Sequence, residues 1–284
     1  MVPRRLSRLD AAARIGSNSL AIRNGSTIMD LGLKGKNVVV TGASRGIGRA
    51  IAHTFADEGA NVAICARHSG QVDVEVAALE AKGVRAFGGA VDIADGAALQ
   101  AWIGHAAERF GGIDVLVSNA SALPRDSSEA AWRSLYDIDL MGAVRSFEAA
   151  RPHLEAAAAA NGDAAFIIIS SVSAAETSNI SAYGAIKASL IHYAKGVARE
   201  GAAKRLRCNV VSPGTVYFKG GVWGEVEQHA PDYFQSMLKR NPTGRMATPE
   251  EIAAASVFLA SPRSSFTTGI NMLVDGSISQ RVNF

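Results

Sequence analysis

Tyr183-Gly184-Ala185-Ile186-Lys187 sets a phenol and an ammonium four residues apart, on one face of a helix. The phenol can give a proton to an oxygen that is gaining charge, or take one back. A free phenol titrates near pH ~10, so acid–base work at neutral pH needs a positive neighbour that favours the anion. Two hydroxyls, Ser170 and Ser171, stand upstream at the end of an apolar run read as a buried strand. A hydroxyl there can hydrogen-bond an oxygen where negative charge develops. The Tyr-x-x-x-Lys spacing alone is common. Its weight comes from opening a helix near a strand's carboxyl end, where open α/β sheets hold their ligands.

A second constellation lies near the start. Thr41-Gly42-Ala43-Ser44-Arg45-Gly46-Ile47-Gly48 follows the first apolar strand and runs directly into a helical stretch. Glycines let backbone N–H groups approach a pyrophosphate, and the helix N-terminus adds positive potential. The spacing is G-x-x-x-G-x-G, not the usual G-x-G-x-x-G. Tight strand–helix packing is the bland alternative; the position at the first βα junction favours a dinucleotide. Gly42, Ser44, Arg45, Gly46, Ile47 and Gly48 are therefore the candidate cradle. The second strand ends Cys65-Ala66-Arg67. An NAD site places a carboxylate about 20 residues past the loop for the ribose 2′-hydroxyl. Arg67 stands there instead, and with Arg45 it can form a charged fork around a 2′-phosphate. The expectation is NADP(H) over NAD(H), with Asp92 and Ile93, after the third strand, beside the adenine.

These groups need a scaffold, and the chain spells one out. Strands are expected at Asn37–Val40, Asn61–Ala66, Val84–Phe87, Ile113–Val117, Ala165–Ser170, Cys208–Val211 and Asn271–Val274. Helical patterns fill Ile47–Glu58, Val72–Lys82, Ala97–Phe110, Glu129–Ala160 and Ala182–Lys204. Gly59, Gly83 and Gly111 punctuate helix ends. Thr248-Pro249-Glu250-Glu251 reads as a capping box that opens a helix to Leu259. The strands are continuous Val/Ile runs, as strands covered on both faces are. Regular strand–helix alternation of this kind means an α/β doubly wound parallel sheet. One segment breaks the rhythm: 215–241 has helical pieces, aromatics and a proline, with a second proline just after it at 242, and sits where an insertion would cover a ligand site.

Composition narrows the partners. The 284 residues are 48% hydrophobic and 19% charged, a globular balance with a net charge of +3. That charge is local. Residues 1–28 hold five arginines and one aspartate, so this leader carries +4 and the body −1. The leader reads as a flexible tail or a start read too far upstream, ahead of Met29; a transit-like segment has the same composition. Residues 29–284 read as one domain. Two distant cysteines, Cys65 and Cys208, exclude a disulfide framework and point to a reducing, cytoplasmic setting. No apolar run spans a membrane, no motif reads nucleic acid, and the six histidines show no metal-ligand spacing.

Taken in order, TGASRGIG at 41–48, Asp92, SNAS at 118–121, Ser171, YGAIK at 183–187 and SPG at 212–214 resemble the short-chain dehydrogenase/reductase family of one-domain type, over about 33–276. The resemblance implies a three-layer doubly wound Rossmann fold with a mainly parallel seven-stranded sheet in the order 3-2-1-4-5-6-7. It implies hydride transfer between a nicotinamide and a small-molecule ketone or secondary alcohol. Tyr183 would be the acid–base group, and Ser171, not Ser170, would hold the substrate oxygen. Lys187 would bind the nicotinamide ribose and lower the phenol's pKa. Asn119, Ala120, Pro213, Gly214 and Val216 would line the cofactor; Ser173, Tyr217, Phe218 and Trp223 would face the substrate under a lid at 215–241. A homotetramer is implied as well.

Three positions depart from the family pattern. Ser121 stands where a glycine is usual, Asp139 replaces an asparagine of the catalytic tetrad, and Phe218 replaces a threonine that bonds the carboxamide. Asp139 accepts hydrogen bonds and can pair with Lys187, but it lacks the amide donor. Two alternatives follow. A 3-oxoacyl-acyl-carrier-protein reductase would dock an acidic carrier protein through cations such as Lys204. A cofactor-binding regulatory protein would keep the fold without turnover.

Overall fold

The computed structural model describes residues 29–177 and 180–282; the leader expected at 1–28 lies outside them. Seven strands form one sheet: β1 Asn37–Thr41, β2 Asn61–Ala66, β3 Ala86–Ala90, β4 Val115–Ser118, β5 Ala164–Ile169, β6 Leu206–Pro213 and β7 Asn271–Val274. Their order is β3-β2-β1-β4-β5-β6-β7, and every pairing is parallel. Nine α-helices accompany them among the described residues: α1 Gly46–Asp57, α2 Ser69–Glu80, α3 Gly96–Phe110, α4 Glu129–Leu135, α5 Met141–Asn161, α6 Ala182–Gly201, α7 Val222–His229, α8 Pro231–Arg240 and α9 Pro249–Ala260.

The Val/Ile runs become strands because both faces are covered. Val39, Leu116, Phe166 and Val210 meet α3, α5 and α6 on one face. Val38, Val40, Val117 and Ile167 meet α1, α2 and α9 on the other. The order reverses between β1 and β4, which opens a crevice at their carboxyl ends.

Several element ends differ from expectation by a few residues, and two of the differences have a physical reason. The third strand runs later, through Gly88 and Gly89. A Cβ on Gly88 would lie 2.4 Å from Val72, and one on Gly89 2.4 Å from Trp102. These glycines are strand positions that let α2 and α3 press directly on the sheet. The long helix expected at 129–160 is interrupted: Tyr136–Leu140 forms a π-helical turn between α4 and α5. The capping box at Thr248 forms as expected, Glu251 accepting from the Thr248 N–H at 2.9 Å.

Residues 215–241 carry α7 and α8, broken where Pro231 opens the second helix. Phe234 and Met237 bury against Met246, with Trp223, Val226 and Leu238 around them.

Candidate active site

The glycine loop is held by what comes after β4. Asn119 donates through Nδ2 to the carbonyls of Thr41 (3.1 Å) and Gly42 (2.9 Å), and its N–H reaches Thr41 Oγ1 at 3.1 Å. Close approach makes the glycines obligatory. A Cβ at Gly48 would sit 2.3 Å from Asn119 Nδ2 and 2.4 Å from the Gly42 carbonyl oxygen. Gly46 has φ +56°, a left-handed conformation that costs glycine little. The loop so fixed leads into the amino end of α1 at the reversal crevice, with Ala120 packed on Gly42 and Asn119 on Gly48. A dinucleotide's phosphates fit such a cradle.

At β2, Arg67 is exposed just past the strand. Ser44 Oγ donates to Gln71 at 3.1 Å, tying the loop to α2. Arg45 is engaged by the root of the lid, its Nη1 donating to the Gly220 carbonyl at 3.1 Å. A fork of Arg45 and Arg67 on one phosphate requires that bond to be exchanged. Asp92 is exposed and accepts from the Ala94 N–H, whereas Ile93 is buried against Gly142 of α5.

Across the crevice, α6 carries the phenol and the ammonium. Ser181 caps it, accepting from the Gly184 N–H at 3.0 Å. A Cβ on Gly184 would lie 2.5 Å from the Ser173 carbonyl oxygen, so glycine here brings the helix against the turn that follows β5. Ser171 Oγ accepts from the Ser173 N–H at 3.1 Å, which leaves its own proton to donate. Ser170 Oγ donates to the Lys187 carbonyl at 2.9 Å, a structural tie between β5 and α6.

Lys187 is buried, with Nζ 5.5 Å from the Tyr183 ring centroid and 3.1 Å from the Ile169 carbonyl. Its third neighbour is Asp139 Oδ1 at 3.0 Å, itself fully buried. Burial works against the lysine's charge; the Asp139 field, the Tyr183 hydroxyl and the Asp139 hydrogen bond outweigh it, and the net shift is upward. Asp139 also takes the Ser121 hydroxyl on Oδ1 (2.6 Å) and the Ala122 N–H on Oδ2 (2.9 Å). It enters the site from the π-turn Tyr136–Leu140, a local widening of a helix that is frequent at functional sites.

The bond from Ser121 to Asp139 escaped sequence reasoning. The signal was there in two departures from one family pattern, though nothing in the spacing joined them.

The remaining residues divide. Gly214 presses on β7, where a Cβ would lie 2.8 Å from Asp275 Cα, and Pro213 ends β6. Val216 forms a bridge with Ala247. Phe218 covers Gly46: its ring would lie 2.5 Å from a Cβ there. With Tyr217, Arg45, Arg49 and Lys219 it lines a surface pocket of about 440 Å³ beside the glycine loop. Tyr217 donates to Glu227 at 2.6 Å, and Trp223 stacks on Tyr233 at 6.1 Å, so both are engaged within the lid. Lys204 is paired with Glu155 at 2.9 Å.

A parallel sheet in the order β3-β2-β1-β4-β5-β6-β7, with a glycine loop at its reversal point, is a doubly wound fold of the Rossmann class. The family described as Enoyl-(Acyl carrier protein) reductase matches residues 42–279. Isoepoxydon dehydrogenase patN of Penicillium expansum is 37% identical over 262 residues, covering 90% of this chain and all of the relative. Cis-4-hydroxycyclohexanecarboxylate dehydrogenase of Sinomonas cyclohexanicum is 37% identical over 246 residues, 84% of this chain and 94% of its own. Among solved structures, L-sorbose reductase of Gluconobacter frateurii, complexed with NADPH and L-sorbose, superposes with a TM-score of 0.80 at 31% identity, covering 89% of this chain and 100% of that one. The chain belongs to the short-chain dehydrogenase/reductase family, whose members here are dehydrogenases and reductases of CH–OH and C=O groups.

Proposed function

We propose that the protein interconverts a cyclic ketone and its secondary alcohol with NADP(H). The observation that carries this reading is the buried Lys187, held by Asp139 and the Ile169 carbonyl beneath the Tyr183 ring. Bound nicotinamide supplies the hydride in reduction and accepts it in oxidation. Gly42, Ser44, Gly46, Ile47, Gly48, Asn119 and Ala120 hold the cofactor's phosphates and inner ribose, Lys187 the ribose hydroxyls, and Pro213, Gly214 and Val216 the carboxamide side. Arg67, joined by Arg45 on release from Gly220, takes the 2′-phosphate. Asp92 and Ile93 flank the adenine.

In reduction, the Tyr183 hydroxyl gives its proton to the carbonyl oxygen as that oxygen gains charge; in oxidation the phenolate takes it back. Ser171 donates to the same oxygen, its lone pair already occupied by the Ser173 N–H. Lys187 sets a positive charge 5.5 Å from the Tyr183 ring centroid. Asp139 keeps Lys187 charged and in place. Ser173, Tyr217 and Trp223 would form the substrate side with the 215–241 segment, whereas Phe218 lies over Gly46 of the glycine loop. The ring-bearing substrate in the name of the Sinomonas relative supports a cyclic ketone.

Docking of an acidic carrier protein is the less favoured reading, because Lys204 already faces Glu155. A regulatory protein without turnover is disfavoured by the intact Ser171, Tyr183 and Lys187. We place the protein in the cytoplasm as a homotetramer, supported by two free cysteines and by the small residues of α6. Oxidation of NADPH and of NADH, followed at 340 nm across substituted cyclohexanones, tests the assignment; no turnover with any ketone overturns it.

A further inference from the structure

Ser121 and Asp139 are the two departures from the family pattern nearest the chemistry, and they touch. Asp139 is an acceptor only, and its two oxygens receive three donors: the Ser121 hydroxyl and Lys187 Nζ on Oδ1, the Ala122 N–H on Oδ2. Ser121 Oγ lies 2.6 Å from Oδ1, a short hydrogen bond. The carboxylate is completely buried, so each donor counts.

We propose that Ser121 is a positioning residue for the hydride-transfer step: by donating to Asp139 it shares the carboxylate's charge and sets how far the Lys187 ammonium is drawn from Tyr183. This rests on the acid–base role given to Tyr183 above. Without the serine, Lys187 is the sole donor on Oδ1. The ion pair then tightens, and less of the ammonium's field reaches the phenol. Asparagine cannot substitute at 139 in this setting. If its oxygen takes the Ala122 N–H, its NH₂ faces the ammonium; if its oxygen takes the ammonium, its NH₂ opposes the Ala122 N–H. Serine at 121 and aspartate at 139 are thus one unit, and neither works as well beside the other family residue.

The test is a cycle of Ser121→Ala, Asp139→Asn and the double variant, with Ser121→Thr as the conservative replacement, on NADPH-dependent ketone reduction. Loss of a hydrogen bond to a charged group predicts a fall in kcat of about tenfold for Ser121→Ala, with the ketone KM changed less than about twofold. Ser121→Thr keeps the hydroxyl and restores kcat. The double variant is no slower than Asp139→Asn alone, because the serine acts through the carboxylate. Melting curves confirm that each variant is folded, and Ser121→Thr supplies the comparison should the alanine variant unfold. Unchanged kcat in Ser121→Ala, a loss carried by KM, or additive effects in the double variant overturns the proposal. Those outcomes leave the function intact, whereas absence of turnover in the unaltered protein rejects the function itself.

Discussion

Lys187 Nζ and Asp139 Oδ1 lie 3.0 Å apart with almost no solvent reaching either side chain. The pair joins α6 to the π-turn before α5, so the buried ammonium staples two helices of one layer. Such a pair is expensive to break from one side, because the survivor is a buried charge without a partner.

Lys187→Met should therefore destabilise the fold by about 3–5 kcal/mol, and Lys187→Met with Asp139→Leu should recover much of that loss. Chemical denaturation of the three proteins measures this. The pH dependence has a definite sign. Lys187 is shifted upward on folding, so its contribution is fully present below the unfolded lysine value of about 10.4 and lost as pH rises through the higher folded value. The stability gap between the unaltered protein and Lys187→Met should stay flat from pH 7 to 9 and narrow only in stronger alkali.

Gly184 sits between Tyr183 and the helix interior, against the Ser173 carbonyl. In an open helix, alanine gains about 1 kcal/mol over glycine. Here the added Cβ meets backbone oxygen at 2.5 Å, and overpacking of about 1–3 kcal/mol outweighs that gain. Gly184→Ala should lower both the melting temperature and kcat, by moving Tyr183 away from Ser171. Gly104 in α3 has nothing within 4 Å of its Cβ position, so Gly104→Ala should stabilise slightly and leave turnover alone. If the two variants behave alike, the close approach at Gly184 does not position the phenol.

Arg67 is exposed at the end of β2, where an NAD site carries a carboxylate. Arg67→Asp should cut kcat/KM for NADPH by about ten- to a hundredfold, the worth of a charge-assisted contact, while NADH improves or holds. Arg45→Ala should lose less for NADPH, since its guanidinium must first leave the Gly220 carbonyl. Measured kcat/KM ratios for the two cofactors decide this; a ratio unmoved by Arg67→Asp places the 2′-phosphate elsewhere.

The sheet was legible because its strands are buried on both faces and therefore read as unbroken Val/Ile runs. β3 was harder: Gly88 and Gly89 look like a turn, and only the helices pressed on them explain why they are strand. Tyr183 and Lys187 could be placed on one face by spacing, since a helix fixes i and i+4; the choice of Ser171 over Ser170 came from the family resemblance. The π-turn at Tyr136–Leu140 left no trace in a periodic helical pattern. Asp139 drew notice only as a departure. Its meeting with Lys187 and Ser121 depends on how three segments pack, which no local spacing encodes. The 215–241 segment stood out in the chain, yet which aromatics pack within it emerged from tertiary contacts among Trp223, Tyr233, Tyr217 and Phe234.

The most direct measurement of the central claim is NADPH oxidation by the unaltered protein and by Tyr183→Phe, on the best ketone of a cyclohexanone panel, beside NADPH binding by fluorescence. Removing one hydroxyl from a half-buried ring leaves the fold and cofactor binding in place and deletes the proton donor. The account predicts a fall in kcat of at least about a hundredfold with NADPH affinity nearly unchanged. Turnover that survives Tyr183→Phe at its original rate would contradict it.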